Sequence, residues 1–179
     1  MHDLEQELAF QLQTAEGKLF SEQQEEVLKV LVTTLSKAFG LNPDEVAILL
    51  LSEDREMLRF AYPPELAKGG TNAFPTSFPS LAGQVARTGA SVLVNDTRAV
   101  QRLAFYERVP IMDTEPAAIQ KLLAVAVDGP DGLPQGVIEV SRRGENLEEV
   151  GPDFQAEDQE LLERLAVTAA PAIARAFGP

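Results

Sequence analysis

The seventeen residues from Ser80 to Asp96, SLAGQVARTGASVLVND, constrain this chain more than any other stretch. Ser80 is a helix-capping residue type, because its hydroxyl accepts a backbone N–H that the first turn leaves without a partner. Leu81 and Val85 share one face of the helix that follows, and Gly89 supplies the left-handed conformation on which helices stop. Ser91 to Val94 reads as a short strand. Asn95, Asp96 and Thr97 then offer side-chain oxygens to cap another helix. Short helices and strands therefore interleave here, and the neighbouring segments must supply both a sheet and something for its faces to pack on.

Those segments follow in order. Leu4, Leu8, Leu12 and Ala15 recur at helical spacing, and Gly17 interrupts the pattern. Ser21 with Gln24 has the form of a capping box for a second helix that carries Val27, Leu28, Leu31, Leu35 and Phe39 on one face and stops at Gly40. Two helices or one bent helix satisfy this pattern equally. Val46–Leu51 is a continuous apolar run suited to a buried strand, and Met57–Tyr62 alternates as a half-buried hairpin partner, with Leu58, Phe60 and Tyr62 on one side. Pro63 to Pro79 is irregular, with Gly69-Gly70 and prolines at 63, 64, 75 and 79. In residues 98–117 the prolines at 110 and 116 keep any helix short. Lys121–Val127 and Gly136–Ser141 read as a second hairpin around the Gly- and Pro-rich turn at 128–134, with a Lys121–Glu139 pair across it. From Glu145 to Glu160 there are seven acidic residues and no basic one, and a last helix begins near Phe154, with Pro171 expected to kink it or end its regular part. The expected architecture is α+β: a central antiparallel sheet of five to six strands.

Charge and residue usage exclude several functions. The formal net charge of −13 repels nucleic-acid backbones and anionic membranes, so neither is an expected partner. The first residues, MHDLEQELAF, lack the basic-then-apolar layout of a signal peptide, and no apolar run approaches the roughly 18 residues of a membrane helix, so a cytoplasmic location is expected. The chain has no cysteine and a single histidine, His2, so thiol catalysis, zinc–thiolate sites and a histidine-based triad have no residues to work with. No nucleophile stands beside a base, and the expectation is a non-enzyme with no cofactor that the residues identify.

Ser80–Gly89, Val92–Asp96, Lys121–Val127, Gly136–Val140 and Phe154–Asp158 with Leu161, Leu162 and Leu165 resemble, in that order and spacing, successive segments of the GAF domain, a small-molecule sensor module related in shape to PAS domains. The resemblance covers roughly residues 22–177, so residues 1–20 read as a helical extension and 21–179 as a single domain. It implies a profilin-like sheet, with the N- and C-terminal helices on one face, extending into a homodimer interface, and the short helices and loops of 80–117 over a small pocket on the other. Members that bind cyclic nucleotides often carry an Asn-Lys pair after the last strand and then Phe-x3-Asp-Glu; this chain has Ser141-Arg142, and Gln159 after Asp158. Chromophore-linking and methionine sulfoxide reductase members use cysteines, which this chain lacks.

For a pocket, mostly apolar walls with a few polar groups are expected. The candidate ligand-binding residues are Phe60, Tyr62, Phe78, Phe105, Tyr106 and Met112 for the walls, with Phe74 nearby. Asn95, Asp96 and Arg98 lie where a helix N-terminus faces the site. Two readings stay open. One is a regulatory domain that binds a small molecule and signals through its terminal helices to a partner protein or a larger chain. The other is a ligand-free dimerisation module in which the same aromatic side chains fill the space.

Overall fold

The computed structural model describes residues 2–15, 20–68, 72–100 and 117–178. Helix α1 spans His2–Thr14 and α2 spans Phe20–Phe39. Gly40, at φ +62°, ends α2 in the left-handed region that favours glycine. After a 3-10 turn at Pro43–Glu45 come strands β1 (Val46–Leu51) and β2 (Met57–Tyr62). The stretch expected to be irregular contains a short helix, α3 (Pro64–Lys68), and a short edge strand, β3 (Ala73–Pro75). Then follow α4 (Leu81–Thr88), β4 (Val92–Val94), β5 (Ile119–Asp128), β6 (Pro134–Arg143) and α5 (Ala156–Phe177).

The strands form one six-stranded antiparallel sheet in the order β3-β2-β1-β6-β5-β4. Alternation along each strand divides its side chains between two cores. On one face Val46, Ile48 and Leu50 of β1, Leu123, Val125 and Val127 of β5, and Ile138 and Val140 of β6 pack against α1, α2 and α5. On the other, Leu49, Leu58, Phe60, Leu122, Ala124 and Val137 pack against Leu66 of α3 and against Leu81, Ala82, Val85 and Ala86 of α4.

On the helix face α2 runs antiparallel to α5: Gln24, near the start of α2, donates to the Ala176 carbonyl at 2.9 Å, while Phe39, at its end, meets Phe154 edge-on with ring centroids 6.5 Å apart. Gln24 thus bonds across helices instead of capping with Ser21, which lies inside the first turn of a helix that already starts at Phe20. Helix α1 is integral to this layer, since Leu8, Leu12 and Ala15 are buried in the same cluster as α2 and α5. An ion pair of 2.8 Å joins its Glu5 to Arg164. Helix α5 continues through Pro171 to Phe177. Pro171 is exposed, so the backbone acceptor left without a proline N–H lies on the wet side of the helix.

Candidate functional site

The stretch from Ser80 to Asp96 forms as its residue types dictate. Ser80 is extended and its hydroxyl accepts from the Gly83 N–H at 3.0 Å. Gly89, at φ +68°, closes α4 by donating to the Val85 carbonyl at 2.8 Å. Gly83 is a close-approach position: a Cβ there would meet the Thr76 carbonyl oxygen at 2.7 Å. Helix α4 therefore docks directly on the 76–80 turn, and Arg87 donates to that same carbonyl.

Of the expected pocket walls, Phe60 and Phe78 come together. Phe60 is fully buried on the face opposite α1, α2 and α5, and Phe74 bridges it to Phe78 with centroid separations of 6.0 and 6.1 Å. Tyr62 is elsewhere. Strict alternation places it beside Phe60, but the β1–β2 register shifts between Ile48 and Leu49, so that Ile48 faces Tyr62 and Leu49 faces Phe60. A bulge of this kind reverses which face a strand presents. Tyr62 accordingly packs on the helix side, in a cleft of about 400 Å³ between α2 and β2 with Leu28, Val32 and Ala61. Burial, reinforced by Glu65 and Asp44, holds its phenol above the ordinary range. Phe105, Tyr106 and Met112 lie outside the described residues.

The polar candidates are engaged within the protein. Asn95 donates to the Phe154 carbonyl and accepts from the Phe154 N–H, both at 2.9 Å. Asp96 caps the 3-10 turn Thr97–Ala99 and binds the Arg98 guanidinium through both oxygens, at 2.9 and 3.0 Å. That hydrogen bonding holds the Asp96 carboxyl below the usual carboxylate range and Arg98 above its own. The pair is mutually neutralised, so Arg98 does not confer the anion affinity a bare guanidinium would. Thr97 donates its hydroxyl to the Ile119 carbonyl at 2.6 Å.

Another polar group was not anticipated. Glu139, Ser141 and Arg143, alternate residues of β6, line the same face as Phe60, next to Leu66, Ile119 and Leu122. Glu139 is 3 % exposed. Register explains why sequence reasoning missed it. Glu139 faces Ala124 and Ala47, whereas Lys121 faces Arg142, so the two charges expected to pair lie on opposite faces. Lys121 instead crosses under the loop before α5, donating to the Gly151 carbonyl at 2.7 Å and pairing with Asp153 at 2.8 Å. Glu45 anchors the rim of the β6 group, accepting from the Arg143 and Asn42 backbone N–H groups at 2.8 and 2.9 Å, while its carbonyl accepts from Ser141. The space left among these side chains is about 10 Å³, near the minimum for one water. A roomier cleft of about 540 Å³ lies on the helix side, between the two hairpin tips and the end of α5, with Leu50, Arg59, Ile173 and Phe177 in its walls. Arg55, at φ +59°, pairs there with Asp131 and ties the tips together.

A two-faced sheet of order 3-2-1-6-5-4, with terminal helices on one face and the Ser80–Gly89 helix on the other, is matched by the GAF domain family over residues 21–174. The chain belongs to the GAF family. This GAF domain is similar in fold to the GAF domain from Acinetobacter phosphoenolpyruvate-protein phosphotransferase, at 17% identity over 97% of this chain and 92% of that one, with a TM-score of 0.70. It is similar too to the A. Aeolicus nlh2 GAF domain in an inactive state, at 17% identity, 97% and 94% coverage and a TM-score of 0.66. A third similar structure is a type II free methionine-R-sulfoxide reductase from Thermoplasma acidophilum, at 16% identity, 87% and 97% coverage and a TM-score of 0.58. No curated protein matches this GAF chain. Domains of the family are generally regulatory and sensory. No helix among the described residues is long and apolar enough to cross a membrane.

Proposed function

We propose that this GAF domain binds a small molecule on the sheet face opposite α1, α2 and α5, and signals as a homodimer through its terminal helices to a partner protein or a larger chain. The observation that carries the reading is the make-up of that face. Glu139, Ser141 and Arg143 stand in a row on β6 beside Phe60 and Leu122, and a few polar groups set in apolar walls are the usual lining of a small-molecule site. A buried carboxylate favours a ligand that presents hydrogen-bond donors. Two of the similar structures are named as GAF domains from other proteins, which agrees with a module whose response is passed on.

Thermal denaturation against a panel of nucleotides, amino acids and amines tests the reading. A ligand of the folded state raises the melting temperature with concentration, by about 2.7 kcal/mol of added stability at a hundredfold excess over Kd. The rise should be lost in Glu139→Gln. A flat response across the panel supports the second reading, a ligand-free dimerisation module, which the packed Phe60–Phe74–Phe78 row and the small residual space favour.

The dimer has its own test. Phe10 of α1 and Val167 of α5 are 69% and 72% exposed, the most exposed large apolar side chains among the described residues. Phe10→Glu with Val167→Glu should shift sedimentation to monomer. Removing α1 would confuse the result, because Leu8 and Leu12 belong to the core. A doubly substituted protein that still sediments as a dimer places the interface elsewhere.

A further inference from the structure

We infer that Asn95 is a latch coupling the segment that leaves β4 to the start of α5, so that loosening either one loosens the other. Its amide occupies both backbone groups of Phe154, taking the place a neighbouring strand would take.

The two sides of the latch are held unequally. On the α5 side, Lys121 fixes Gly151 and Asp153, the Arg142 guanidinium lies 4.9 Å from the centre of the Phe154 ring, and Phe39 packs on that ring's edge. Asp158 also accepts from the Gln155 N–H at 2.8 Å, closing the first turn of α5. On the β4 side, the Asp96 and Arg98 side chains bond to each other, and the Thr97 hydroxyl bonds to the Ile119 carbonyl. Among the described residues, the 95–100 segment thus has fewer anchors across the fold than the start of α5. It borders the sheet face proposed for the ligand, through Thr97 and Val100, while α5 lies on the opposite face. Asn95 is a direct polar connection from one side of the sheet to the other. As a route for signalling it rests on the proposed ligand site, but the coupling itself needs no ligand.

Amide hydrogen exchange on the unliganded full chain tests the coupling. The amides to follow are Phe154, Asp158 and Gln159 on one side, and Ala99 and Val100, which bond to Asp96 and Thr97, on the other. Asn95→Ala should speed exchange roughly tenfold on both sides, within the range of ordinary coupling between sites, while β5 and β6 stay protected. Asn95→Asp, which keeps the acceptor for the Phe154 N–H and loses the donor, should give a smaller change of the same pattern. Lys121→Met, which loosens only the α5 side directly, should also speed exchange at Ala99 and Val100. If Lys121→Met leaves those two amides unchanged, Asn95 is a static pin and the inference fails. It fails equally if Asn95→Ala speeds exchange uniformly across β5 and β6. Should Asn95→Ala not fold, the other two variants decide. A negative ligand panel leaves this result untouched, and an uncoupled latch leaves the ligand reading untouched.

Discussion

On the helix side of the sheet, β1 and β6 present Val46, Ile48, Leu50, Ile138 and Val140, all aliphatic and all covered by α1, α2 and α5. On the other side the same two strands present Leu49, Val137, Glu139 and Ser141, covered in part by one short helix at Pro64–Lys68 and one at Leu81–Thr88. The chain, the strands and the register are shared. What differs is where polar groups stand: on the helix side Lys121 and Arg142 are tied to the loop and ring just before α5, whereas Glu139 and Ser141 stand beside Phe60 and Leu122 on the other. Where the strands present only aliphatic side chains, close packing supplies the stability. A face that keeps a carboxylate and a hydroxyl among its apolar side chains forgoes some of that stability and gains groups able to discriminate one ligand from another.

The comparison breaks first at its strongest point. Leu162→Ala removes a fully buried side chain of α5 from the helix-side core and should cost about 2–5 kcal/mol in chemical denaturation. A cost below that span would mean the helix layer is looser than its burial implies. Gly83→Ala probes the other side, where the added Cβ meets the Thr76 carbonyl oxygen and the Ser80 hydroxyl. A loss of about 1–3 kcal/mol is expected, because backbone has to move. Glu139→Gln keeps shape and removes charge, and should cost no more than about 1 kcal/mol while abolishing any ligand response. If it costs as much as Leu162→Ala, the carboxylate belongs to the architecture and the two faces do the same job. The smallest effect is acidic. Asp96 and Asp131 are held below the usual carboxylate value by hydrogen bonds from Arg98 and Arg55. Their contribution is present above the unfolded-state value and is lost as pH falls through the lower folded-state values. Melting temperatures of Asp96→Asn and the parent should therefore converge as pH falls below the ordinary carboxylate range. The difference stays slight throughout, since both pairs are exposed.

Much of the fold was legible because local chemistry and tertiary structure agree. Ser80, Gly89 and Gly40 stand where caps and stops form, and the 128–134 turn joins the strands expected on either side. The illegible parts are those where a distant contact overrides a local signal. Nothing near Tyr62 announces the bulge that turns it from Phe60, because the register is set against Ile48 and Leu49 across the sheet. Lys121 and Glu139 look like a cross-strand pair until the register separates them. Pro171 reads as a kink or as the end of the regular part, and the helix continues past it, with the proline on the exposed side of a helix whose other side is buried along its length. Phe60 and Phe78, expected as apolar wall residues, are brought together by Phe74. The β6 row of Glu139, Ser141 and Arg143 required knowing which way the strand faces.

The order β3-β2-β1-β6-β5-β4 has a consequence in time as well as in space. The central seam joins β1 to β6, with Val46 opposite Val140. Until β6 leaves the ribosome, β1, β2 and β3 are an unfinished half-sheet with an open edge, and α5, which covers the seam, is made later still. Closing such a long loop before its contacts form slows folding. Emergence of α5, and not the appearance of the first hairpin, should set the moment at which this domain becomes resistant to proteolysis.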